Sequence, residues 1–150
     1  MSDITPTIDF STDLTGLFDM SGQVAYLPGG YGGIGEAIAW GLAIHGAKVV
    51  VAGRSLEKAE ALAGAICAAG HDAAGIQLDV KSVADIRASV DKVVGLYGGL
   101  DVLVNCVGIQ REEALLEVTE DAYDEVYEVN LKAAMFLGQA AAKQQIAGGK

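Results

Sequence analysis

Short apolar runs alternate along this chain with segments in which apolar residues recur at helical spacing. The apolar runs predict four strands, at residues 23–27, 48–52, 73–78 and 100–104. The helical spacing predicts four helices, near residues 34–45, 56–69, 83–96 and 120–146. Alternation at this spacing is typical of right-handed βαβ units in a parallel sheet. The pattern therefore predicts an α/β fold.

The strands at 49–51 and 102–104 are continuously apolar, as expected where helices cover both faces of a sheet. In the 3-2-1-4 strand order of a doubly wound fold, the strand at 100–104 lies at an edge, which is a liability unless more sheet follows. We therefore expect a Rossmann-like doubly wound parallel sheet of four strands in residues 21–150, the front part of a larger domain. Residues 1–20 are weakly patterned and predict an N-terminal extension.

A glycine-rich turn joins the first predicted strand to the first helix, from Pro28 to Gly35. Glycines there allow positive φ and let backbone N–H groups approach a phosphate at a helix N-terminus. Two registers fit: Gly30, Gly32 and Gly35 match G-x-G-x-x-G, and Gly29, Gly33 and Gly35 match G-x-x-x-G-x-G. The alternative is a tight turn that merely packs helix on strand. We predict a nucleotide pyrophosphate site at Gly29, Tyr31, Gly32, Gly33, Ile34 and Gly35.

The second strand ends in Gly53, Arg54 and Ser55. A carboxylate at this place would accept hydrogen bonds from a ribose and repel a 2′-phosphate, whereas Arg54 can pair with that phosphate and Ser55 can donate a hydroxyl. This favours NADP(H) over NAD(H). The alternative is that Ser55 caps the next helix and Arg54 is a solvated charge; Glu57 lies too far into the helix to act as the ribose carboxylate.

Polar residues also follow the third and fourth strands. Asp79 and Val80 could frame an adenine edge, or form an ordinary turn. Asn105 and Gly108 fall at the same carboxyl edge of the sheet as the glycine turn, where ligands of open α/β sheets bind, or else Asn105 only ends its strand. We predict that all four contact a cofactor.

Asn130 lies among the apolar positions of the long final helix. An unpaired buried amide costs about 1–3 kcal/mol, so Asn130 needs partners, and it could bend the helix or hold a water. Other local signals are structural: Ser82 and Thr119 stand where helix N-caps are expected, and His45 and His71 are expected to be solvated.

Composition narrows the classes of function. A net charge of −10 and a pI near 4.4 argue against nucleic acid and anionic membranes as partners. Cys67 and Cys106 have neither disulfide-framework nor zinc-ligand spacing, so no metal is expected and a reduced, cytoplasmic setting is favoured. No stretch reaches the roughly 18 apolar residues of a membrane span.

The glycine turn, Asp79-Val80, Asn105-Cys106-Val107-Gly108 and Val129-Asn130-Leu131-Lys132 together resemble the short-chain dehydrogenase/reductase family, especially members acting on sugar acids, polyols or 3-oxoacyl groups. The resemblance covers residues 20–150 and favours the Gly29, Gly33, Gly35 register. It implies a nicotinamide cofactor, hydride transfer between a secondary alcohol and a ketone on a small polar substrate, and a homodimer or homotetramer built partly on the long helix. It assigns Asn130 to the catalytic machinery, holding a water in a proton relay.

Departures from the family pattern leave other functions open. Pro28 stands where a Thr is usual and removes a backbone donor, Cys106-Val107 replaces Asn-Ala, and none of the five tyrosines has Lys four residues later. The family's catalytic Ser and Tyr-x-x-x-Lys are expected after position 150. The alternatives are a catalytically silent nucleotide-binding or assembly subunit, and a phosphate- or flavin-binding module.

Overall fold

The structure is a computed structural model that describes residues 16–149. Most of the expected N-terminal extension, residues 1–15, lies outside the described residues. Of the remainder, Met20 donates its N–H to the carbonyl of His45 at 2.8 Å, so the chain enters the domain packed beside the end of the first helix.

Four strands form one parallel sheet: β1 (Val24–Pro28), β2 (Lys48–Gly53), β3 (Ala73–Gln77) and β4 (Val102–Leu103). Their spatial order is β3-β2-β1-β4, the order of the doubly wound fold that we expect from the sequence. The expected strand at 100–104 is assigned to only two residues, but its backbone pairing runs further. Asp101 N–H donates to the Val24 carbonyl and Cys106 N–H to the Pro28 carbonyl, both at 2.9 Å.

The helices are α1 (Gly33–Ile44), α2 (Leu56–Ala68), α3 (Val83–Tyr97), α4 (Glu120–Tyr127) and α5 (Ala133–Ala147). Hydroxyl side chains cap three of them: Ser55, Ser82 and Thr119 each accept a backbone N–H of the first turn. The predicted caps at Ser82 and Thr119 are therefore confirmed. The long helix predicted at 120–146 is present, but a π-helical segment (Glu128–Lys132) divides it into α4 and α5.

Both faces of the sheet are covered, as predicted for an apolar parallel sheet. Alternate residues of β1 point to opposite sides: Val24 and Tyr26 pack with α3 and α5, whereas Ala25 and Leu27 pack with α1 and α2. This is the layering of a Rossmann-like α/β fold, and it leaves the carboxyl ends of all four strands at one edge.

Candidate functional site

A cavity of about 800 Å³ lies at the carboxyl edge of the sheet. The glycine turn, the residues following β2, β3 and β4, and α4 with the π segment form its walls. It brings together eleven of the predicted binding residues: Gly29, Tyr31, Gly32, Gly33, Ile34, Gly35, Arg54, Asp79, Val80, Asn105 and Gly108. Ser55 and Asn130 do not line it directly.

The glycine turn packs backbone against backbone. Gly29 has φ +75°, and a Cβ built on it would lie 2.7 Å from the carbonyl carbon of Cys106. A Cβ on Gly35 would lie 2.8 Å from the Cα of Gly30. Positive φ thus falls on Gly29 and on Gly33 (φ +34°), which belong to the second register, and side chains at Gly29 and Gly35 would push the turn away from its neighbours.

The N-terminus of α1 differs from those of α2, α3 and α4. Its N-cap is Gly32, which supplies no side-chain hydrogen bond, whereas hydroxyl groups cap the other three helices. The Gly35 N–H donates to the Gly32 carbonyl at 2.7 Å, so Gly33 and Ile34 carry the N–H groups that the helix itself leaves without a partner. The positive end of the helix dipole lies beside them. Gly32 and Gly33 are exposed and line the cavity, so this turn fits the pyrophosphate of a dinucleotide.

Arg54 is exposed at the cavity edge and also lines a smaller adjoining cavity of about 440 Å³ that Lys92 lines too. Its carbonyl accepts a hydrogen bond from Gln77 Nε2 at 3.2 Å. Ser55 has another partner: its Oγ accepts from Lys58 N–H at 3.3 Å as the cap of α2. Arg54 therefore stands at the edge of the cavity, while the Ser55 hydroxyl caps α2.

Asp79 and Asn105 each combine a turn with a place at the cavity. Asp79 Oδ1 accepts from Lys81 N–H, and Asn105 Oδ1 accepts from Val107 N–H, both at 3.0 Å. These are the side-chain-to-backbone turns typical of Asp and Asn. Asp79 and Asn105 therefore each form a turn and also line the cavity, because the turn holds the residue at the cavity edge.

Asn130 holds the segment that follows β4 onto the π segment. Its Oδ1 accepts from Ile109 N–H and its Nδ2 donates to the Ile109 carbonyl, both at 2.8 Å. Gly108 lies against the same amide, because a Cβ on it would be 3.6 Å from Asn130 Oδ1. The expected burial of Asn130 is wrong, because its side chain is exposed. Its amide nevertheless has partners, and these bonds hold a wall of the cavity.

A charged cluster of Glu125, Lys81 and Arg111 lies at the site, and the sequence did not predict it. Glu125 of α4 accepts from Lys81 Nζ at 2.8 Å through Oε1 and pairs with Arg111 through Oε2. These hydrogen bonds, first from Lys81 and then from Arg111, lower the pKa of Glu125 to about 2. The partners are 44 and 14 residues from Glu125 in sequence, so no local pattern signals them.

Other titratable residues have simpler settings. Cys106 lines the cavity, and burial raises the pKa of its thiol. His45 is exposed and His71 is half-buried. Among residues 16–149, His, Cys, Asp and Glu side chains form no group of three suited to a metal ion. None of the helices in that part of the chain is both long and apolar enough to span a membrane.

Known proteins that resemble this chain in sequence and in structure are short-chain dehydrogenases and related oxidoreductases. A family model described as short chain dehydrogenase matches residues 23–150. An uncharacterized oxidoreductase of Methylorubrum extorquens is 41% identical over 131 residues, covering 87% of this chain and 53% of that protein. Sorbitol dehydrogenase of Cereibacter sphaeroides is 34% identical over 131 residues, covering 87% and 50%.

A solved structure of a short-chain type dehydrogenase/reductase from Mycobacterium marinum superimposes with a TM-score of 0.88 at 31% identity, covering 92% of this chain and 56% of that one. The chain thus spans about half the length of the curated relatives it matches, 53% and 50% for the two above.

Proposed function

The chain belongs to the short-chain dehydrogenase/reductase family, and on that basis we propose that it binds NADP(H) for an oxidoreductase interconverting a secondary alcohol and a ketone. The observation that supports this is the convergence, at one cavity, of a glycine turn with an uncapped helix N-terminus and of Arg54, Asp79 and Asn105. The bound nicotinamide would supply hydride chemistry. In this proposal the residues of the chain bind and orient it.

Each wall of the cavity has a distinct role in this proposal. The N–H groups of Gly32 and Gly33 meet the pyrophosphate, and Arg54 pairs with the 2′-phosphate of the adenosine ribose. Asp79 and Val80 frame the adenine, while Asn105 and Gly108 border the nicotinamide end. The Ser55 hydroxyl contributes through the helix that it caps, which fixes the backbone next to Arg54.

Asn130 acts as a positioning residue. Its amide bonds Ile109 with one acceptor site and one N–H, which leaves one further acceptor site and one further donor. That capacity is enough to hold a water in a proton relay, as membership of the family suggests. None of the tyrosines in these 150 residues is followed by Lys four positions later, so we assign the acid–base step to none of them.

We propose a small polar substrate, of the polyol, sugar-acid or 3-oxoacyl type. The similarity to a sorbitol dehydrogenase supports the polyol class.

We also propose a homodimer or homotetramer formed through α4 and α5. The support is a stripe of exposed large side chains at four-residue intervals, Tyr123 (59%), Tyr127 (52%), Leu131 (53%) and Met135 (63%).

Binding of the two reduced dinucleotides tests the cofactor assignment. NADPH should bind more tightly than NADH, and Arg54→Ala should weaken NADPH binding by about tenfold or more, the factor that one charge-assisted hydrogen bond carries. NADH binding should change little. The measurement is fluorescence titration of each cofactor, with Arg87→Ala, an exposed arginine of α3, as the control. Tighter binding of NADH, unaffected by Arg54→Ala, would contradict the assignment.

A further inference from the structure

Tyr31 leaves the glycine turn and lies over the end of β2. Its ring packs against Gly53, and its hydroxyl accepts the N–H of Ser55 at 3.2 Å. Tyr31, Gly53 and Arg54 all line the large cavity. One side chain thus contacts the residues on both sides of Arg54.

The ring leaves no room for a side chain at position 53. The three atoms nearest to a Cβ built on Gly53 all belong to Tyr31, and its Cζ and hydroxyl oxygen would each be 2.7 Å away. Real Cβ atoms essentially never approach other atoms this closely. The contacted atoms are the far end of the Tyr31 side chain, so a larger residue at 53 would displace the ring and break the hydrogen bond that its hydroxyl accepts from the Ser55 N–H.

Because Tyr31 fills the space next to Gly53, it affects which charged side chains can stand at the end of β2. In dinucleotide-binding sheets, a carboxylate near the end of the second strand binds the ribose hydroxyls of NAD, and an arginine there accommodates the 2′-phosphate of NADP. Position 53 is buried and faces the cavity in which Arg54 lies. An Asp at 53 would place a carboxylate beside Arg54, in the space that Tyr31 fills.

We propose that Tyr31 is a specificity-determining residue. Its ring excludes a carboxylate from position 53, its hydroxyl holds the Ser55 N–H, and Arg54 between them is the charged group that meets the adenosine ribose. This inference rests on the proposed function and adds to it a steric determinant from the glycine turn. Tyr31 and residue 53 act as a coupled pair, so that a change of cofactor preference requires both to change.

The steric half of the proposal is tested without cofactor. Gly53→Ala should lower the melting temperature of the parent protein, and the loss should largely disappear in the Tyr31→Ala background, where the obstructing ring is absent. Gly75→Ala is the matched control: its Cβ would clash with the backbone of Ala59 and Glu60 in α2, so Tyr31→Ala should not rescue it. Equal losses from Gly53→Ala in both backgrounds, or none in either, would overturn the proposal.

The specificity half is tested by titration with NADPH and NADH. Gly53→Asp alone should recruit NADH poorly, whereas Tyr31→Ala/Gly53→Asp should bind NADH about tenfold more tightly than that single variant, as one charged hydrogen-bonding group permits. Tyr31→Phe keeps the ring and should still favour NADPH. Gly53→Asp binding NADH as tightly as the double variant would overturn the inference.

The outcomes separate the two proposals. If the parent protein binds NADPH but the two positions are not coupled, the inference alone fails. If the parent protein binds neither dinucleotide, the proposed function fails and the inference fails with it. If Gly53→Asp does not fold, the melting-temperature cycle with Gly53→Ala decides the steric claim.

Discussion

Tyr26 carries a hydroxyl group into the buried layer between the sheet and α3. It is fully buried, and its hydroxyl donates to Ser89 Oγ at 2.7 Å, while Ser89 in turn donates to the Ile86 carbonyl at 2.7 Å. Burial raises the pKa of Tyr26 well above its usual value, so the phenol stays protonated and remains a donor. A continuous hydrogen-bonded path therefore joins β1 to α3 inside an apolar core.

A double-mutant cycle at this pair should be strongly non-additive. Ser89→Ala leaves the Tyr26 hydroxyl without its acceptor and should lower the free energy of unfolding by about 1–3 kcal/mol. Tyr26→Phe should cost about 0.5–1.5 kcal/mol, and Tyr26→Phe/Ser89→Ala should be no less stable than Ser89→Ala. Urea denaturation measures all three, with the exposed Tyr123→Phe as control. Additive losses would show that the two groups act independently.

Single residues show what local sequence can and cannot decide. The caps at Ser82 and Thr119 follow from the chemistry of one helical turn, so the sequence predicts them correctly. Arg54 and Tyr31 contact groups outside their own turns, and their places relative to each other depend on how α1 and β2 pack. The sequence indicated that both belong to the site but not that the Tyr31 ring packs on Gly53.

At the scale of elements, Glu125 joins three parts of the cavity wall. It lies on α4 and pairs with Lys81 after β3 and with Arg111 after β4. The three side chains are part-exposed, at 29%, 42% and 47%, so each ion pair is screened by solvent. The cluster therefore fixes the positions of two loops more than it stabilises the whole fold.

The stabilising effect of Glu125 should depend on pH in a defined direction. Its pKa is lowered from 4.5 to about 2, so the effect is present above pH 4.5 and is lost as the pH falls towards 2. The melting temperature of Glu125→Gln should thus be lower than that of the parent at pH 7, with the gap closing on acidification and in high salt. Thermal scans across pH measure this, with exposed Glu117→Gln as control. A gap that persists at pH 2 would contradict the ion-pair explanation.

The π segment is an element that hydrophobic spacing cannot predict. The apolar positions Val129, Ala133 and Leu137 continue through it and are buried, so their pattern indicates one helix. A π turn is wider than an α turn, and the difference is visible only in which backbone groups are hydrogen-bonded to each other. The sequence does give one hint, because Asn130 was expected to bend the helix or hold a water, and it lies within this segment.

At the scale of the whole molecule, the stripe of exposed large side chains on α4 and α5 is the proposed interface of the homodimer or homotetramer. Met135→Glu, placing a charge on the stripe, should weaken association and shift the protein towards monomer. Light scattering coupled to size-exclusion chromatography measures the mass. Ile44→Glu, at the end of α1 with similar exposure (61%), is the control and should leave the mass unchanged. A full-size oligomer of Met135→Glu would exclude this face as the interface.

The sequence by itself determined the α/β class with the doubly wound sheet, the helix caps at Ser82 and Thr119, and eleven of the residues that line the cavity. These follow from periodicity, from turn chemistry and from the rule that parallel strands end at one edge, all of which are local or topological. The tertiary structure alone decided the Tyr31–Gly53 contact, the Glu125 cluster, the pairing of Asn130 with Ile109 and the hydroxyl path from Tyr26. Each joins residues distant in the chain, and close approach between such groups is set by how whole elements pack.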